Sequence, residues 1–188
     1  MALILVRPFY RINYIGKNNI PKHNAVVLCS NHRSFFDPLA ISFGVRRNIY
    51  FMAKSEFFTD SGIFVKYFMK LCGVFPVKRE SSDLGSVNTA AQLLSKNKIV
   101  GIFPQGKIVK DGTFEPKSGA ALLAVKNQTP VLPVSIDFEG SIRPFSKITV
   151  TFGNLIPPPK DTSLKAARGL TKIIKERITA QLEGKHCP

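Results

Sequence analysis

Acidic residues and cysteines are scarce, and tryptophan is absent, in this sequence of 188 residues. Cys29, Cys72 and Cys187 lie far apart, and none has a second cysteine or a histidine at metal-ligand spacing. Neither a disulfide framework nor a zinc site is therefore predicted, and a reducing compartment fits best. Only 12 Asp and Glu oppose 27 Lys and Arg, which gives a net charge of +15. This excess favours an anionic partner: nucleic acid, anionic lipid or a phosphorylated substrate.

Long hydrophobic runs are also missing. A membrane-spanning helix needs roughly 20 mostly apolar residues, and the best candidate, which begins at Phe57, is interrupted by Asp60, Lys66 and Lys70. Its apolar residues recur at helical spacing, which favours a core-packing helix, with an interfacial helix as the alternative. The apolar opening at residues 1–6 is too short for a signal peptide. Neither a spanning helix nor a secretion signal is predicted.

Short apolar runs rich in β-branched residues alternate with helical patterns, which is typical of an α/β domain. No repeat interrupts them, so we expect residues 1–188 to form one domain with a mixed, largely central β-sheet flanked by helices. Pro130 and Pro133 indicate that one strand lies at a sheet edge or forms the wall of a groove, because proline donates no ladder hydrogen bond. Strands are predicted at 24–31, 48–53, 73–78, 98–104, 129–138 and 147–153, and helices at 37–45, 83–96 and 117–127.

The C-terminal segment 161–184 predicts a basic amphipathic helix. Its apolar residues form one stripe, and lysine or arginine occupies much of the remaining surface. Core packing of the stripe is favoured over contact with a membrane. The stripe consists of Leu164, Ala167, Leu170, Ile174, Ile178 and Leu182.

The stretch "NHRSFFDP" places His32 and Asp37 five residues apart, so the two cannot share a helical face and only a turn can bring them together. A histidine whose ring reaches a carboxylate is the base and orienting half of a catalytic triad. No G-x-S-x-G motif supplies a nucleophile, and Ser34 is too close in sequence to His32. A working pair would therefore take its proton from a substrate hydroxyl. The alternative is that Asp37 simply caps a helix beginning at Pro38.

The segment 101–119, "GIFPQGKIVKDGTFEPKSG", runs from a predicted strand into a glycine-bearing loop. Backbone N–H groups beside Lys107, Lys110 and Lys117 make a plausible phosphate cradle. The alternative is a basic surface loop with a turn at Asp111 and Gly112.

Taken together and in order, these stretches resemble the glycerolipid acyltransferase family, typified by lysophosphatidic acid acyltransferases, over roughly residues 20–140. The family pattern comprises N-H-x4-D, a later Gly-x5-Arg strand, an F-P-E-G-T-R-S loop and a V-P-V-x-P-V-like strand. The residues that match the first, second and fourth blocks are Asn31, His32 and Asp37, then Gly73 and Arg79, then Val131, Pro133 and Val134. The third block departs from the pattern and reads Phe103, Pro104, Gln105, Gly106, Lys107, Ile108 and Val109.

The resemblance implies an O-acyltransferase of phospholipid biosynthesis, in which His32 deprotonates the acceptor hydroxyl and Asp37 orients the ring. The hydroxyl then attacks the thioester of an acyl-CoA or acyl-carrier-protein, without a covalent enzyme intermediate. Ile108 replaces the arginine that the family uses for the acceptor phosphate, and Lys107 can supply a cation there without the fork geometry of a guanidinium. The predicted substrate-binding residues are Asn31, Arg33, Ser34, Arg79, Gln105, Gly106, Lys107, Lys117 and Pro133.

The expected partners are a lysolipid acceptor such as lysophosphatidic acid, the acyl donor and an anionic membrane surface. Peripheral attachment at the cytoplasmic face is expected, and in this context residues 1–20 and the Phe57 segment fit interfacial elements as well as core packing. No cofactor or metal is implied. Acyl transfer to a non-phosphate lysolipid and non-catalytic phospholipid binding remain the alternatives. Nucleic acid is an unlikely partner, because none of the common nucleic-acid-binding motifs is present.

Overall fold

The computed structural model describes residues 11–54, 75–77, 84–138 and 146–184. The predictions for residues 1–10, for the Phe57 segment and for Lys78 and Arg79 lie outside the described residues. So do Cys72 and Cys187.

The described residues form strands and helices in an alternating order. The strands are β1 (Arg11–Ile15), β2 (Val26–Ser30), β3 (Ile49–Lys54), β4 (Phe75–Val77), β5 (Ile99–Ile102), β6 (Val131–Phe138) and β7 (Lys147–Phe152). The helices are α1 (Asp37–Gly44), α2 (Leu84–Ser95), α3 (Gly119–Lys126) and α4 (Leu164–Leu182), and a short 3-10 turn covers Lys17–Asn19.

These strands build one sheet in the order β1-β7-β6-β2-β5-β3-β4. β2 lies in its middle, parallel to both β5 and β6, and β6 pairs antiparallel with β7. All five residues of β2 are buried, as expected for a strand covered on both faces. The mixed sheet predicted from the sequence is confirmed.

Of the two alternatives predicted for the Pro130–Pro133 segment, the edge strand is wrong, because β6 lies between β2 and β7. Pro133 does line a cleft, which agrees with the other alternative, the wall of a groove. Proline is tolerated there because pairing with β7 begins only at Val134, opposite Phe152. The carbonyl of Pro133 still accepts a 2.8 Å hydrogen bond from the Gly153 N–H. The missing N–H of Pro133 therefore costs one bond at the very end of this ladder.

Hydrophobic clusters cover both faces of the sheet. One joins β2 to α2, α3 and α4 through Val27, Cys29, Ala90, Val100, Ala124 and Ile174, and the other joins it to α1 through Val26, Leu28, Ile41, Phe51, Ile99 and Leu132. Successive residues of β2 contribute to opposite clusters, as the pleat of a strand requires. The sheet is thus sandwiched between helices.

Helix α4 confirms the amphipathic pattern predicted for the C-terminal segment. The Ser163 hydroxyl caps its first turn by accepting a 3.2 Å hydrogen bond from the Ala166 N–H. The buried part of the stripe consists of Ala167, Leu170, Ile174 and Ile178. Core packing therefore holds for most of the stripe, but Leu164 in the first turn is 64% exposed.

The parallel pairing of β2 with β5 determines where chemistry is possible. In this register Cys29 lies opposite Ile102, so the residues that follow both strands emerge at the same edge of the sheet. Catalytic groups in α/β folds gather at this carboxyl edge. The turn 31–36 and the loop 103–118 therefore meet there.

Candidate active site

The turn 31–36 brings His32 and Asp37 together, as their spacing requires. His32 Nδ1 lies 2.8 Å from Asp37 Oδ2. The same carboxylate oxygen accepts backbone N–H bonds from Arg33 at 2.7 Å and from Ser34 at 2.8 Å. Three donors thus converge on one oxygen of a completely buried side chain, which fixes its position and stabilises its negative charge.

Asp37 does not serve as the helix N-cap that was predicted. Helix α1 begins at Asp37 itself, Phe36 is the cap residue, and no side chain caps the helix. The carboxylate instead points back into the preceding turn, because the backbone N–H groups and the ring there provide three donors. A carboxylate in the first helical turn also interacts favourably with the helix dipole.

The imidazole of His32 rests on an aromatic stack. Its ring centroid lies 4.0 Å from that of Phe103, and Phe103 lies 5.5 Å from Phe51, with the planes nearly parallel in both pairs. Phe51 is 1% exposed, so the stack begins in the core and ends at the histidine. The ring of His32 is held by the carboxylate at one edge and by Phe103 on one face. Because 18% of its side chain stays exposed, a substrate can reach it.

Asn31 attaches the turn to β6. Its Nδ2 donates to the Ile136 carbonyl at 2.9 Å, and its Oδ1 accepts from the Ile136 N–H at 2.8 Å. The side chain thereby imitates one residue of a sheet ladder at a point where the β2 backbone has already turned away. Asn31 is 1% exposed, so the structure gives it a positioning role, and its predicted contact with substrate stays a prediction.

The loop 103–118 is attached to the backbone of His32 at two points. The Val109 N–H donates to the His32 carbonyl at 2.7 Å, and the His32 N–H donates to Gln105 Oε1 at 3.4 Å. Gln105 is 7% exposed, and its Nε2 donates to the Thr113 carbonyl at 2.9 Å. The sequence order does not reveal the contact with Thr113, eight residues further along.

Gly106 and Asp111 shape the same loop. Gly106 closes a turn by donating its N–H to the Phe103 carbonyl at 2.9 Å, and it adopts φ 71, which favours glycine. Asp111 Oδ1 accepts from both the N–H and the hydroxyl of Thr113. These two bonds lower the pKa of the Asp111 carboxyl. The predicted turn at Asp111 and Gly112 is thus present.

The predicted cations divide into two environments. Lys107, Lys110 and Lys117 are exposed on the loop. Arg33 instead folds back, and its Nη1 donates to Asp137 Oδ1 and to the Phe138 carbonyl, both at 3.0 Å. Its guanidinium also lies 4.4 Å above the Phe138 ring. The three lysines are therefore more accessible than Arg33 to an anionic substrate.

Two other predicted substrate-binding residues lie apart from this arrangement. The hydroxyl of Ser34 accepts from the Phe36 N–H at 3.2 Å and shapes the turn. Pro133 lies in a cleft of about 130 Å³ with Gly153, Arg177 and Gln181. Its neighbours Leu132 and Val134 belong to the sheet face that packs against α1, so Pro133 lies on the opposite face. The structure therefore does not bring Pro133 to His32, and Arg79 lies outside the described residues.

Neither a cysteine nucleophile nor a metal is suggested by the described part of the chain. Burial raises the pKa of the Cys29 thiol to about 12, which keeps this cysteine protonated and unreactive. Among residues 11–54, 75–77, 84–138 and 146–184, no group of three or more His, Cys, Asp or Glu side chains is placed to hold a metal ion. In the same residues, no helix is both long enough and apolar enough to cross a membrane.

The sequence of this chain is similar to those of known acyltransferases. The 1-acyl-sn-glycerol-3-phosphate acyltransferase BAT2 of Brassica napus chloroplasts is 33% identical over 152 residues, which cover 76% of this chain and 42% of the relative. The 1-acyl-sn-glycerol-3-phosphate acyltransferase of Bacillus subtilis is 30% identical over 125 residues, 66% of this chain and 61% of the relative. The chain therefore spans about two fifths of the plant protein and three fifths of the bacterial one.

The fold also has a counterpart among solved structures. The 1-acyl-sn-glycerophosphate (LPA) acyltransferase PlsC of Thermotoga maritima superimposes with a TM-score of 0.72 at 22% identity, over 99% of this chain and 81% of that chain. This similarity establishes the α/β fold. The model of the Acyltransferase family matches residues 11–137, from the first strand to the penultimate residue of β6. This match contains the turn 31–36, the loop 103–118 and most of the sheet that positions them. The chain therefore belongs to the Acyltransferase family.

Proposed function

We propose that this chain transfers a fatty acyl group from an acyl-CoA or acyl-carrier-protein thioester to a hydroxyl of a lysophospholipid such as lysophosphatidic acid. The observation that carries the proposal is the 2.8 Å contact between His32 Nδ1 and Asp37 Oδ2 at the carboxyl edge of the sheet. The relatives named 1-acyl-sn-glycerol-3-phosphate acyltransferases support the choice of acceptor.

His32 acts as the general base in this mechanism. Asp37 accepts a hydrogen bond from the Nδ1–H group of His32, so Nε2 carries the lone pair that removes the proton of the acceptor hydroxyl. The hydroxyl oxygen forms a bond to the thioester carbonyl carbon, and the C–S bond breaks as the tetrahedral intermediate collapses. The leaving thiolate takes the proton from the imidazolium. An ester and a free thiol result, and the charge of Asp37 stabilises the imidazolium between the two steps.

Direct attack by the acceptor requires no covalent enzyme intermediate. The protonated Cys29 cannot act as nucleophile, and the Ser34 hydroxyl shapes the turn by accepting from Phe36. The chain's contribution to the rate is then positional: the turn and the loop hold the base while two substrates meet in line.

The exposed lysines of the loop are proposed to hold the acceptor phosphate. Lys107 immediately precedes Ile108, which stands where the family pattern has arginine, and Lys107→Ala should raise the KM for a phosphate-bearing acceptor about tenfold. The KM for the thioester should stay unchanged. Lys126→Ala is the matched control, because Lys126 is an exposed lysine at the end of α3.

Ile108 favours the two alternatives: acyl transfer to a lysolipid without phosphate, and binding of phospholipid without transfer. Ile108 is 38% exposed in the loop beside the base, and it offers no charge. A panel of lysolipids with different head groups separates these cases. Preference for an uncharged head group favours the first, and binding without thiol release favours the second.

Peripheral association with an anionic membrane, at the cytoplasmic face, is part of the same proposal. The net charge of +15 supports it, because basic surfaces are attracted to anionic headgroups. Flotation with anionic and neutral vesicles at low and high salt tests it. Binding that requires anionic lipid and weakens with salt is expected, and equal binding to both vesicles would contradict it.

The decisive experiment measures thiol release from acyl-CoA and from acyl-carrier-protein, with and without lysophosphatidic acid. His32→Ala should lower the rate by about 10²- to 10⁴-fold, and Asp37→Asn by a comparable factor because the ring loses its orienting charge. The wild-type rate should also fall at acidic pH, because a general base must be unprotonated to accept the proton of the hydroxyl. His23→Ala should leave the rate unchanged, since His23 is exposed before β2. Acceptor-dependent release that survives in His32→Ala would refute the proposed mechanism.

A further inference from the structure

Gln105 stands where the family pattern carries glutamate. Its side chain connects the backbone of His32, the candidate base, to Thr113 in the loop 103–118. Its Oε1 accepts from the His32 N–H at 3.4 Å, and its Nε2 donates to the Thr113 carbonyl at 2.9 Å. The first contact needs only an oxygen. The second needs a donor, which an ionised carboxylate does not have.

The residues between Gln105 and Thr113 form a loop closed by this amide. That loop contains Lys107 and Lys110, and the Val109 N–H donates to the His32 carbonyl at 2.7 Å. His32 is thus contacted on its N–H by the Gln105 side chain and on its carbonyl by the loop. Releasing Gln105 from Thr113 would loosen the loop and the backbone of the base together.

We propose that Gln105 is a positioning residue whose neutral side-chain amide holds the loop 105–113 against the backbone of His32, and that a carboxylate cannot replace it in this chain. The inference rests on the proposed acyl transfer only for its activity readout. The hydrogen bonds also imply a second readout, the protection of the loop amides, which does not depend on catalysis.

Gln105→Glu isolates the donor, because the substitution keeps the size of the side chain. An ionised carboxylate would face the Thr113 carbonyl in a buried position, and both the burial and this neighbour raise the pKa of the introduced carboxyl. Once protonated, the carboxyl regains an O–H donor. The defect of this variant should therefore shrink as pH falls.

Other titratable groups surround the same position and must be separated from this effect. The rate of general-base catalysis itself depends on pH, so each rate is divided by the wild-type rate at the same pH. The charged and titratable groups of the turn and the loop that carry this position are His32, Arg33, Asp37, Lys107, Lys110, Asp111, Glu115 and Lys117.

We expect kcat of Gln105→Glu at pH 8 to be about tenfold below wild type, since small displacements of a catalytic group are costly, while the KM for the thioester changes less than twofold. The ratio to wild type should rise several-fold by pH 5.5. Gln105→Ala should show a similar defect without the rise, because it has no titrating donor. A ratio independent of pH, or an equal rise in Gln105→Ala, would overturn the proposal.

Gln128→Glu is the matched control. Gln128 Nε2 also donates to backbone carbonyls, those of Val125 at 2.9 Å and Pro159 at 3.1 Å, but it lies at the opposite end of the sheet. This variant should keep the wild-type kcat and its pH profile. A pH-dependent activity ratio in Gln128→Glu would show that the effect is not specific to the loop.

Amide hydrogen exchange supplies the readout that is independent of acyl transfer. In Gln105→Ala, and in Gln105→Glu at pH 8, the amides of residues 106–113 should exchange about tenfold faster than in the wild type at the same pH. Unchanged exchange would refute the positioning role, whatever the activity. Faster exchange in a chain whose wild type releases no thiol with any substrate pair would refute the proposed function and leave this inference standing.

Discussion

Asn31→Ala removes two hydrogen bonds that join the turn 31–36 to β6, and the cost in unfolding free energy can be worked out from these contacts. The Ile136 N–H and carbonyl lose partners at 2.8 and 2.9 Å, and Ile136 is completely buried. Each buried group left unsatisfied costs about 1 to 3 kcal/mol. Water that enters the space left by the amide recovers part of this cost. We therefore expect the free energy of unfolding to fall by about 2 to 4 kcal/mol.

Urea denaturation followed by circular dichroism measures this loss of unfolding free energy. In thermal denaturation, the Tm should fall by roughly 5 to 15 °C for a chain of this length. Asn31→Leu distinguishes hydrogen bonding from packing, because leucine refills the volume but satisfies neither backbone group. It should be at least as unstable as Asn31→Ala. Asn127→Ala is the control: it removes a single bond, to the Leu123 carbonyl at the end of α3, and should cost less than about 1 kcal/mol. Wild-type stability in Asn31→Leu would refute the reasoning.

The remaining predictions concern stability and the aromatic stack. Arg47 donates to the carbonyls of Pro21, His23, Asn24 and Asn97. Arg47→Met should therefore lower the free energy of unfolding, measured by urea denaturation, by about 2 kcal/mol. Arg47→Lys should recover less than half of this loss, and full recovery would contradict the role of the forked guanidinium group. In Gly101→Ala the new Cβ would lie 2.4 Å from Phe51 Cδ1, which should cost about 1 to 3 kcal/mol and lower kcat through the stack that reaches His32. Adding Phe51→Leu should restore part of the stability, and its failure to do so would locate the strain elsewhere.

The sequence predicts local structure well wherever the pattern is local. The buried strand expected at 24–31 is β2 at Val26–Ser30, and the helix expected at 117–127 is α3 at Gly119–Lys126. For β2 a continuous apolar run is sufficient evidence, because both faces of the strand are buried. For α3 an apolar segment of helical length is sufficient. The five-residue spacing of His32 and Asp37 is likewise local, so a turn between them can be predicted before the fold is known.

The errors arise where a residue's environment depends on distant chain segments. Strand order is not encoded locally, so the prolines of β6 could not distinguish an edge strand from the wall of a groove, and the strand lies between β2 and β7. The double contact of Asn31 with Ile136 spans 105 residues, and no spacing rule indicates it. Asp37 was expected to cap α1, but the preceding turn offers it three donors.

The altered third block is physically consistent with the loop that the structure shows. A buried carboxylate at position 105 would need a compensating cation, and Ile108, which stands in place of the family's arginine, carries no charge. Gln105 avoids that cost because its amide is neutral, and it uses its extra donor on the Thr113 carbonyl. The loop then retains exposed positive charge on Lys107 and Lys110, and position 105 adds no buried negative charge to that of Asp37. The two substitutions therefore support each other: the loss of the arginine favours a neutral residue at 105, and the neutral amide lets the loop close against His32.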